Sequence, residues 1–388
     1  MNLQSSPRPA GARERTLDEV KAEVLRRAGR FNPVESIRPQ DAAAVMGALT
    51  SLDRDHWAEQ WCKIGLAYEA EADAHATAGA APAELAELYM LGFVACRVGR
   101  YPAPTSPGQL AAYHHSLRIF RKAAPHFVPR LEIVALPFEG RTLVGHLQVP
   151  PGVAHPPVVM HWGGVDGWKE DRLGASALIM HAGLASLAID MPGTGENPFL
   201  YGDALAEGTF VAWMDHLLQR PELDGRRLGV WGGSFGAYWA ARLAYVAAER
   251  IAGAVFHGGN VHHGFQKEWL VPAFTTGGAT YLFGAASLLD ARGRAVGTKT
   301  MAEFLEGVPR FSLKTMGLID KPSAPLLGVN GKLDDQAPVA DIYLLMEHGS
   351  PKSARIYPDG HHMGRTPGVP YDDILAMIVG WLKERLAG

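Results

Sequence analysis

The chain has 388 residues, of which 47% are hydrophobic and 20% charged, and its formal net charge is -3. This composition is typical of a globular protein with a large core, and without a basic excess it argues against a nucleic-acid partner. The longest apolar stretches, at residues 184–189 and 325–329, are far shorter than the roughly 20 residues of a membrane-spanning helix. We therefore expect neither a nucleic-acid nor a membrane partner.

The first residues and the cysteines indicate the cellular location to expect for the protein. Residues 1–15 are polar and contain no apolar run, so we expect a frayed leader there rather than a secretory signal. Cys62 and Cys96 are the only cysteines, too few for a disulfide framework. The expected location is the cytoplasm, with both thiols reduced.

Helical patterning dominates the first third of the chain. Thr16 and Glu19 have the Thr-x-x-Glu spacing of a capping box. Apolar positions three and four apart, with breaks at residues 79–82 and 102–107, predict helices at residues 16–29, 41–50, 53–78, 83–99 and 107–123. We expect residues 1–129 to form a helical lid. Its aromatic side chains are interpreted either as pocket lining or as core: Trp57, Trp61, Tyr89, Phe93 and Tyr113.

Short apolar strands follow from residue 130. The first two, at 131–137 and 142–149, alternate as an antiparallel hairpin at a sheet edge. Six more alternate with helical stretches, at residues 157–161, 185–190, 228–231, 251–257, 324–330 and 354–357. This alternation predicts an α/β catalytic domain over 130–388, with a mostly parallel twisted sheet, helices on both faces and ligands at the carboxyl ends of the strands. Residues 258–320 are expected to form a loop-and-helix excursion over the site.

A nucleophile elbow is predicted where the third of these six strands ends. The sequence Gly-Gly-Ser-Phe-Gly at residues 232–236 lies between an apolar strand and an Ala-rich helical run. Serine at the centre of G-x-S-x-G sits in strained backbone geometry, and the small residues Gly232 and Gly236 let the flanking chain pass close to it. Ser234 is therefore the candidate nucleophile; a plain turn is the alternative.

An acid and a base follow in the order that this topology requires. Asp334 and Asp335 come after the strand at 324–330, and the Gly-x-x-Asp spacing with a following proline favours Asp334 as the orienting acid. His361 and His362 come after the last strand. We favour His362 as the base because it lies five residues after Tyr357, and a neutral imidazole takes up and returns a proton near neutral pH.

The oxyanion donors are expected to be backbone amides. The amide of Phe235 directly follows the candidate nucleophile. The sequence His-Trp-Gly-Gly-Val at residues 161–165 follows a central strand, and Gly164 or Val165 is expected to supply the second donor. Residues 169–171, Lys-Glu-Asp, are interpreted either as a helix start or as a substrate contact.

Two other motifs are interpreted as structural. The turn at residues 190–195 contains Gly-x-Gly but lacks the third glycine and the helix start of a dinucleotide site. His257, His262 and His263 lack the fixed ligand spacing of a metal site, so we expect them to lie in the core or to face the substrate cavity.

Together these motifs resemble the α/β-hydrolases, and within them the subgroup of 2,6-dihydroxypseudooxynicotine hydrolase and the FrsA-like esterases. The resemblance rests on the helical amino-terminal segment, the strand ending in Pro-Pro-Gly, the loop at 163–170, the turn at 190–195 and the elbow at 232–236. It implies an α/β-hydrolase fold, a triad of Ser234, Asp334 and His362, no metal or organic cofactor, a helical lid over the cleft and a homodimer.

The leading hypothesis is a serine hydrolase that forms an acyl-enzyme with a small or medium acyl compound. Its substrate is an ester, or a ketone whose carbon leaving group is stabilised. The alternative is an acyltransferase or cyclase in which an alcohol replaces water. A catalytically silent binding protein on the same fold is the third interpretation.

Overall fold

A computed structural model describes residues 14–275, 281–349 and 351–387. The frayed leader expected at residues 1–15 falls almost entirely outside this part of the chain. Contacts divide the chain into two units, the first comprising Met1–Leu131 and Phe274–Arg294, the second Glu132–Ala273 and Ala295–Gly388. The catalytic role of the second unit and the lid role of the first remain predictions.

The helices of the first unit begin where the sequence signals place them. The capping box is formed, because the Glu19 N–H donates to Thr16 Oγ1 over 3.3 Å and the Thr16 N–H donates to Glu19 Oε2 over 2.8 Å. Proline, whose ring suits a first helical turn, opens three of the helices. The first five helices of the chain, all in this unit, are α1 (Leu17–Arg27), α2 (Pro39–Ala48), α3 (Arg54–Thr77), α4 (Pro82–Gly99) and α5 (Pro107–Ala123).

The aromatic side chains on these helices are buried inside the first unit. Trp57 packs on Trp61 with ring centroids 5.7 Å apart, and its indole N–H donates to the Val98 carbonyl over 2.8 Å. Phe93 packs edge-on against Phe120. These contacts place the aromatic residues in the core of the unit.

An eight-stranded sheet forms the centre of the second unit. Its strands are β1 (Leu131–Phe138), β2 (Arg141–Gln148), β3 (Pro157–Trp162), β4 (Ala185–Ile189), β5 (Asp224–Gly233), β6 (Gly253–His257), β7 (Leu326–Gly331) and β8 (Lys352–Tyr357). They are ordered β1-β2-β4-β3-β5-β6-β7-β8. β2 pairs with β4 antiparallel, whereas all pairs from β4 to β8 are parallel. The predicted mostly parallel sheet with a hairpin at one edge is therefore confirmed.

Helices cover both faces of this sheet. The remaining helices are α6 (Leu173–His181), α7 (Ala206–Leu218), α8 (Ala237–Val246), α9 (Lys267–Thr275), α10 (Ala285–Val296), α11 (Met301–Gly307), α12 (Ala340–Glu347) and α13 (Tyr371–Leu386). Of these, α6, α7, α8, α12 and α13 pack on the strands, whereas most of α10 belongs to the first unit. Trp231 of β5 lies in one core cluster with Ile179 of α6 and Ile378 of α13. His161 stacks on Trp231, so the next residue, Trp162, points to the opposite face. There it packs on Phe210 of α7.

The parallel arrangement brings the carboxyl ends of β3 to β8 to one edge. Every candidate site residue of the sequence follows one of these strand ends. Within the described ranges, no helix combines the length and the apolarity needed to cross a membrane.

Candidate active site

Ser234 lies on a strained turn between β5 and α8. A short 3-10 turn, Ser234–Gly236, joins the strand to the helix, and the φ angle of Ser234 is +54°. Such a left-handed conformation costs a non-glycine residue about 1–3 kcal/mol and persists only where the surroundings impose it. A Cβ atom at Gly232 would lie 2.5 Å from the Gly236 carbonyl oxygen, and one at Gly236 would overlap the Gly163 carbonyl. The strained turn with small neighbours that the sequence predicts is present.

The structure brings together three of the predicted side chains. Ser234 Oγ lies 2.8 Å from His362 Nε2, and His362 Nδ1 lies 2.8 Å from Asp334 Oδ2. An ionised carboxylate only accepts hydrogen bonds, so Nδ1 carries a proton, and in the neutral form of the ring Nε2 then accepts from the serine hydroxyl. A serine, an imidazole and a carboxylate therefore form one hydrogen-bonded chain.

Asp334 is buried and stays ionised. Its Oδ1 accepts the backbone N–H groups of Gln336 and Ala337 over 2.8 and 3.1 Å, while Oδ2 accepts from His362. Burial acts to raise the pKa of the Asp334 carboxyl, but His362 and these N–H donors outweigh it and hold that pKa below its usual value. The carboxylate is thus fixed in charge and direction.

The neighbouring residues that sequence reasoning left open take other positions. His361 is exposed, and its backbone N–H donates to the Arg365 carbonyl over 2.8 Å. Asp335 is half-buried, and burial together with the charge of Asp334 raises the pKa of its carboxyl. By contrast, the His362 side chain hydrogen-bonds to both Ser234 and Asp334.

The loop after β3 lies against Ser234. A Cβ atom at Gly164 would lie 2.8 Å from Ser234 Cβ, 3.1 Å from its Oγ and 3.4 Å from the Phe235 amide nitrogen. Val165 is buried beside it, and its carbonyl accepts the Trp168 indole N–H over 3.1 Å. Gly164 and the Phe235 amide thus flank the serine oxygen, and the oxyanion role of Phe235, Gly164 and Val165 remains a prediction.

Sequence reasoning missed a residue that supports the loop carrying His362. Asn330 lies near the end of β7, and its Oδ1 accepts the Met363 N–H over 3.0 Å while its Nδ2 donates to the Ala337 carbonyl over 3.0 Å. One amide side chain thereby connects the loop after β8 to the loop that carries Asp334. The only signal in the sequence was a polar residue in an otherwise apolar strand.

Lys169 lies in a buried ionic cluster. A short 3-10 helix begins at this residue, so the helix start is correct. Lys169 Nζ lies 2.6 Å from Glu170 Oε1 and 2.8 Å from both Asp190 Oδ2 and Glu196 Oε2. Burial raises the pKa of Glu170 to about 7, against the opposing effect of Lys169. The cluster joins the loop after β3 to the turn after β4.

The three histidines named above have different surroundings. His257 is buried, whereas His262 lies 2.7 Å from Ser312 Oγ through its Nδ1 and has its ring tilted against that of His263. Among the residues that the structure describes, no group of three or more His, Cys, Asp or Glu side chains could hold a metal ion.

Comparison with known proteins decides the family. The model of the family described as esterase FrsA-like matches residues 40–387, which is most of the chain. The chain belongs to the FrsA-like esterase family. Esterase FrsA of Photobacterium profundum is 24% identical over 345 residues, covering 86% of this chain and 77% of that protein. Esterase FrsA of Pectobacterium atrosepticum is 25% identical over 353 residues, covering 85% of this chain and 77% of that protein.

Solved structures establish the fold of this FrsA-like protein. The structure of 2,6-dihydroxy-pseudo-oxynicotine hydrolase matches with a TM-score of 0.75 at 18% identity, covering 95% of both chains. Wild-type AbyA5 matches with a TM-score of 0.72 at 21% identity, covering 96% of this chain and 99% of that one. The predicted α/β-hydrolase fold and the predicted family are confirmed, and the protein is an α/β-fold hydrolase.

Proposed function

We propose that this hydrolase is a serine esterase in which Ser234, His362 and Asp334 form the catalytic triad. The observation that carries the proposal is the hydrogen-bonded chain from Ser234 Oγ through the His362 imidazole to the buried Asp334 carboxylate. Membership of the FrsA-like family and relatives named esterase FrsA support an ester as substrate. The substrate is a small or medium acyl compound.

Each step follows from the placement of these groups. Ser234 Oγ attacks the ester carbonyl carbon as its proton passes to His362 Nε2, and the carbonyl oxygen takes the negative charge. The amides of Phe235 and of Gly164 or Val165 stabilise that charge; losing one such donor typically costs about 2.7–4 kcal/mol. His362 then protonates the leaving alcohol oxygen as the carbon–oxygen bond breaks. Water attacks the acyl-enzyme, gives its proton to His362, and the released Ser234 regains a proton.

Substitution of the nucleophile tests the proposal. In Ser234→Ala we expect hydrolysis of p-nitrophenyl acyl esters to fall at least about 10³-fold and labelling by a fluorophosphonate probe to disappear. Ser353→Ala, which changes an exposed serine of β8, serves as the matched control and should keep both. Wild-type turnover by Ser234→Ala would overturn the proposal.

A labelled solvent separates hydrolysis from transfer to an alcohol. Turnover in ¹⁸O water should place one heavy oxygen in each released acid, because water attacks the acyl-enzyme. An unlabelled ester or lactone as the main product would overturn the hydrolytic outcome and favour the acyltransferase or cyclase. If an activated ketone is cleaved with a higher kcat/KM than any ester, the substrate class is a ketone, and the bond cleaved is a carbon–carbon bond.

A further inference from the structure

We propose that His257 is a positioning residue that holds the base, His362, by fixing the peptide group one residue beyond it. The inference rests on the proposed function, since it concerns the base of that triad. His257 ends β6, the strand next to the nucleophile's strand, and its imidazole is completely buried. A buried imidazole needs partners for both nitrogens, and the identity of those partners carries the argument.

The two partners of His257 allow only one form of the ring. Nε2 lies 2.9 Å from the Met363 carbonyl oxygen, and Nδ1 lies 3.4 Å from the indole nitrogen of Trp231. A carbonyl only accepts and an indole N–H only donates. His257 is therefore the neutral tautomer with its proton on Nε2, and it donates that proton to Met363.

The surroundings of His257 keep this form. Tyr371 of α13 stacks on the ring, and the guanidinium of Arg365 lies over Tyr371. On the strand side, the guanidinium of Arg172 lies 5.0 Å from the centre of the Trp231 ring. Burial lowers the pKa of His257 to about 3; the hydrogen bond to the Met363 carbonyl opposes this only in part, and the charges of Arg365 and Arg172 act in the same direction as burial. At the near-neutral pH at which a histidine acts as a base, the His257 imidazole is therefore neutral and donates its Nε2 proton.

The residue that His257 holds is strained. Met363 directly follows His362 and has a φ angle of +61°. The peptide group before it is held by Asn330, through the Met363 N–H, and the peptide group after it is held by His257, through the Met363 carbonyl. Gly258 fits this arrangement, because a Cβ atom there would lie 2.8 Å from Met363 Cγ.

Loss of the His257 donor frees one of these two peptide groups. A strained φ angle persists only where the surroundings over-determine it, so Met363 relaxes and turns the main chain of His362. The His362 imidazole is then no longer held with Nε2 2.8 Å from Ser234 Oγ and Nδ1 2.8 Å from Asp334 Oδ2. Misplacement of a reacting group by about 1 Å can cost about 100-fold in rate, whereas substrate binding is unaffected.

Substitution of His257 in the full chain tests the inference. His257→Leu removes the donor, and His257→Gln retains an amide N–H that reaches toward Met363. With p-nitrophenyl esters and active sites counted by fluorophosphonate, we expect kcat of His257→Leu to fall about tenfold or more with KM nearly unchanged, and His257→Gln to recover most of it. The acid limb of the kcat profile should shift in His257→Leu, because the bond between His362 and Asp334 is loosened.

A matched control separates positioning from stability. Val255→Ala, two residues earlier on β6 and fully buried in the core under α13, lowers stability without touching Met363 and should keep the wild-type kcat per active site. Wild-type kcat and pH profile in folded His257→Leu would overturn the inference, as would an equal loss of kcat in Val255→Ala. If His257→Leu does not fold, His257→Asn takes its place, because its shorter side chain withdraws the donor from the Met363 carbonyl: a lower kcat supports the inference and a wild-type kcat overturns it.

Failure of this inference is distinguishable from failure of the proposed function. An inactive Ser234→Ala beside a fully active His257→Leu would leave the triad in place and remove only the positioning role. An active Ser234→Ala would remove the triad itself.

Discussion

At the scale of single residues, two adjacent carboxylates after β7 have different surroundings. Asp334 accepts two backbone N–H groups and the His362 ring, and its pKa is held below the usual value despite burial. Asp335 has a raised pKa, which burial and the neighbouring charge cause. Although the two residues are adjacent in the chain, their surroundings shift the pKa values of the two carboxyls in opposite directions.

The pair provides a matched test of the orienting acid. Asp334→Asn should lower kcat roughly 10³- to 10⁴-fold, because the amide no longer selects the tautomer that leaves Nε2 free to accept the serine proton. Asp335→Asn changes the same charge one residue away and should stay near the wild-type rate. Steady-state kinetics with p-nitrophenyl esters measures both, and equal losses in the two variants would contradict the assignment.

At the scale of elements, a buried cluster of ion pairs fixes the loop after β3. Lys169 follows this loop with a fully buried side chain, and it faces the carboxylates of Glu170, Asp190 and Glu196. Its backbone N–H also donates to Asp190 Oδ1 over 2.9 Å. One lysine therefore fastens two strand-end loops of the site, and its removal leaves carboxylates buried without a counter-charge.

We expect Lys169→Met to lower the free energy of unfolding by about 3–5 kcal/mol, the usual result of removing one partner of a buried ionic group. Arg220→Met is the control, because Arg220 also contacts two carboxylates, Glu132 and Glu222, which are exposed to solvent. Exposed pairs contribute about 0–1 kcal/mol. Urea unfolding followed by tryptophan fluorescence measures the difference, and similar losses in both variants would show that the cluster does not stabilise the fold.

At the scale of the whole molecule, buried groups couple stability to pH in opposite directions. The folded-state pKa of His257 is lowered to about 3 from an ordinary value of 6.5. Below pH 6.5 the unfolded chain binds a proton there that the folded chain does not, so stability falls as pH drops toward 3. The pKa of Glu170 is raised to about 7 from 4.5. Its contribution is complete below pH 4.5 and is lost as pH rises through 7.

These signs predict how two variants change the pH dependence of unfolding. Between about pH 6 and 4.5, His257→Gln should lose stability on acidification less steeply than the wild type, by about 1.4 kcal/mol per pH unit. Over the same pH range, Glu170→Gln should lose stability on acidification more steeply than the wild type. Urea titrations at a series of pH values provide the slopes, and a change of the same sign in both variants would contradict the assigned protonation states.

Local pattern determined much of this protein. The periods of apolar residues, the capping box at Thr16 and the glycines around Ser234 predicted the helices, the strands and the strained elbow, because these depend on neighbours within a few positions. Strand order along the chain also predicted that residues after the carboxyl ends of strands would meet at one edge. Ser234, Asp334 and His362 could therefore be named before any distance was known.

The tertiary structure alone decided which side chains hold the loop that carries His362. The spacing after Tyr357 favoured His362 over His361, and the structure places His362 Nε2 2.8 Å from Ser234 Oγ. The two side chains that hydrogen-bond to the backbone of the next residue, Met363, are Asn330 and His257, which lie 33 and 106 residues away from it in the chain. A contact between distant residues leaves no periodic trace in sequence, because it depends on how strands are ordered in space.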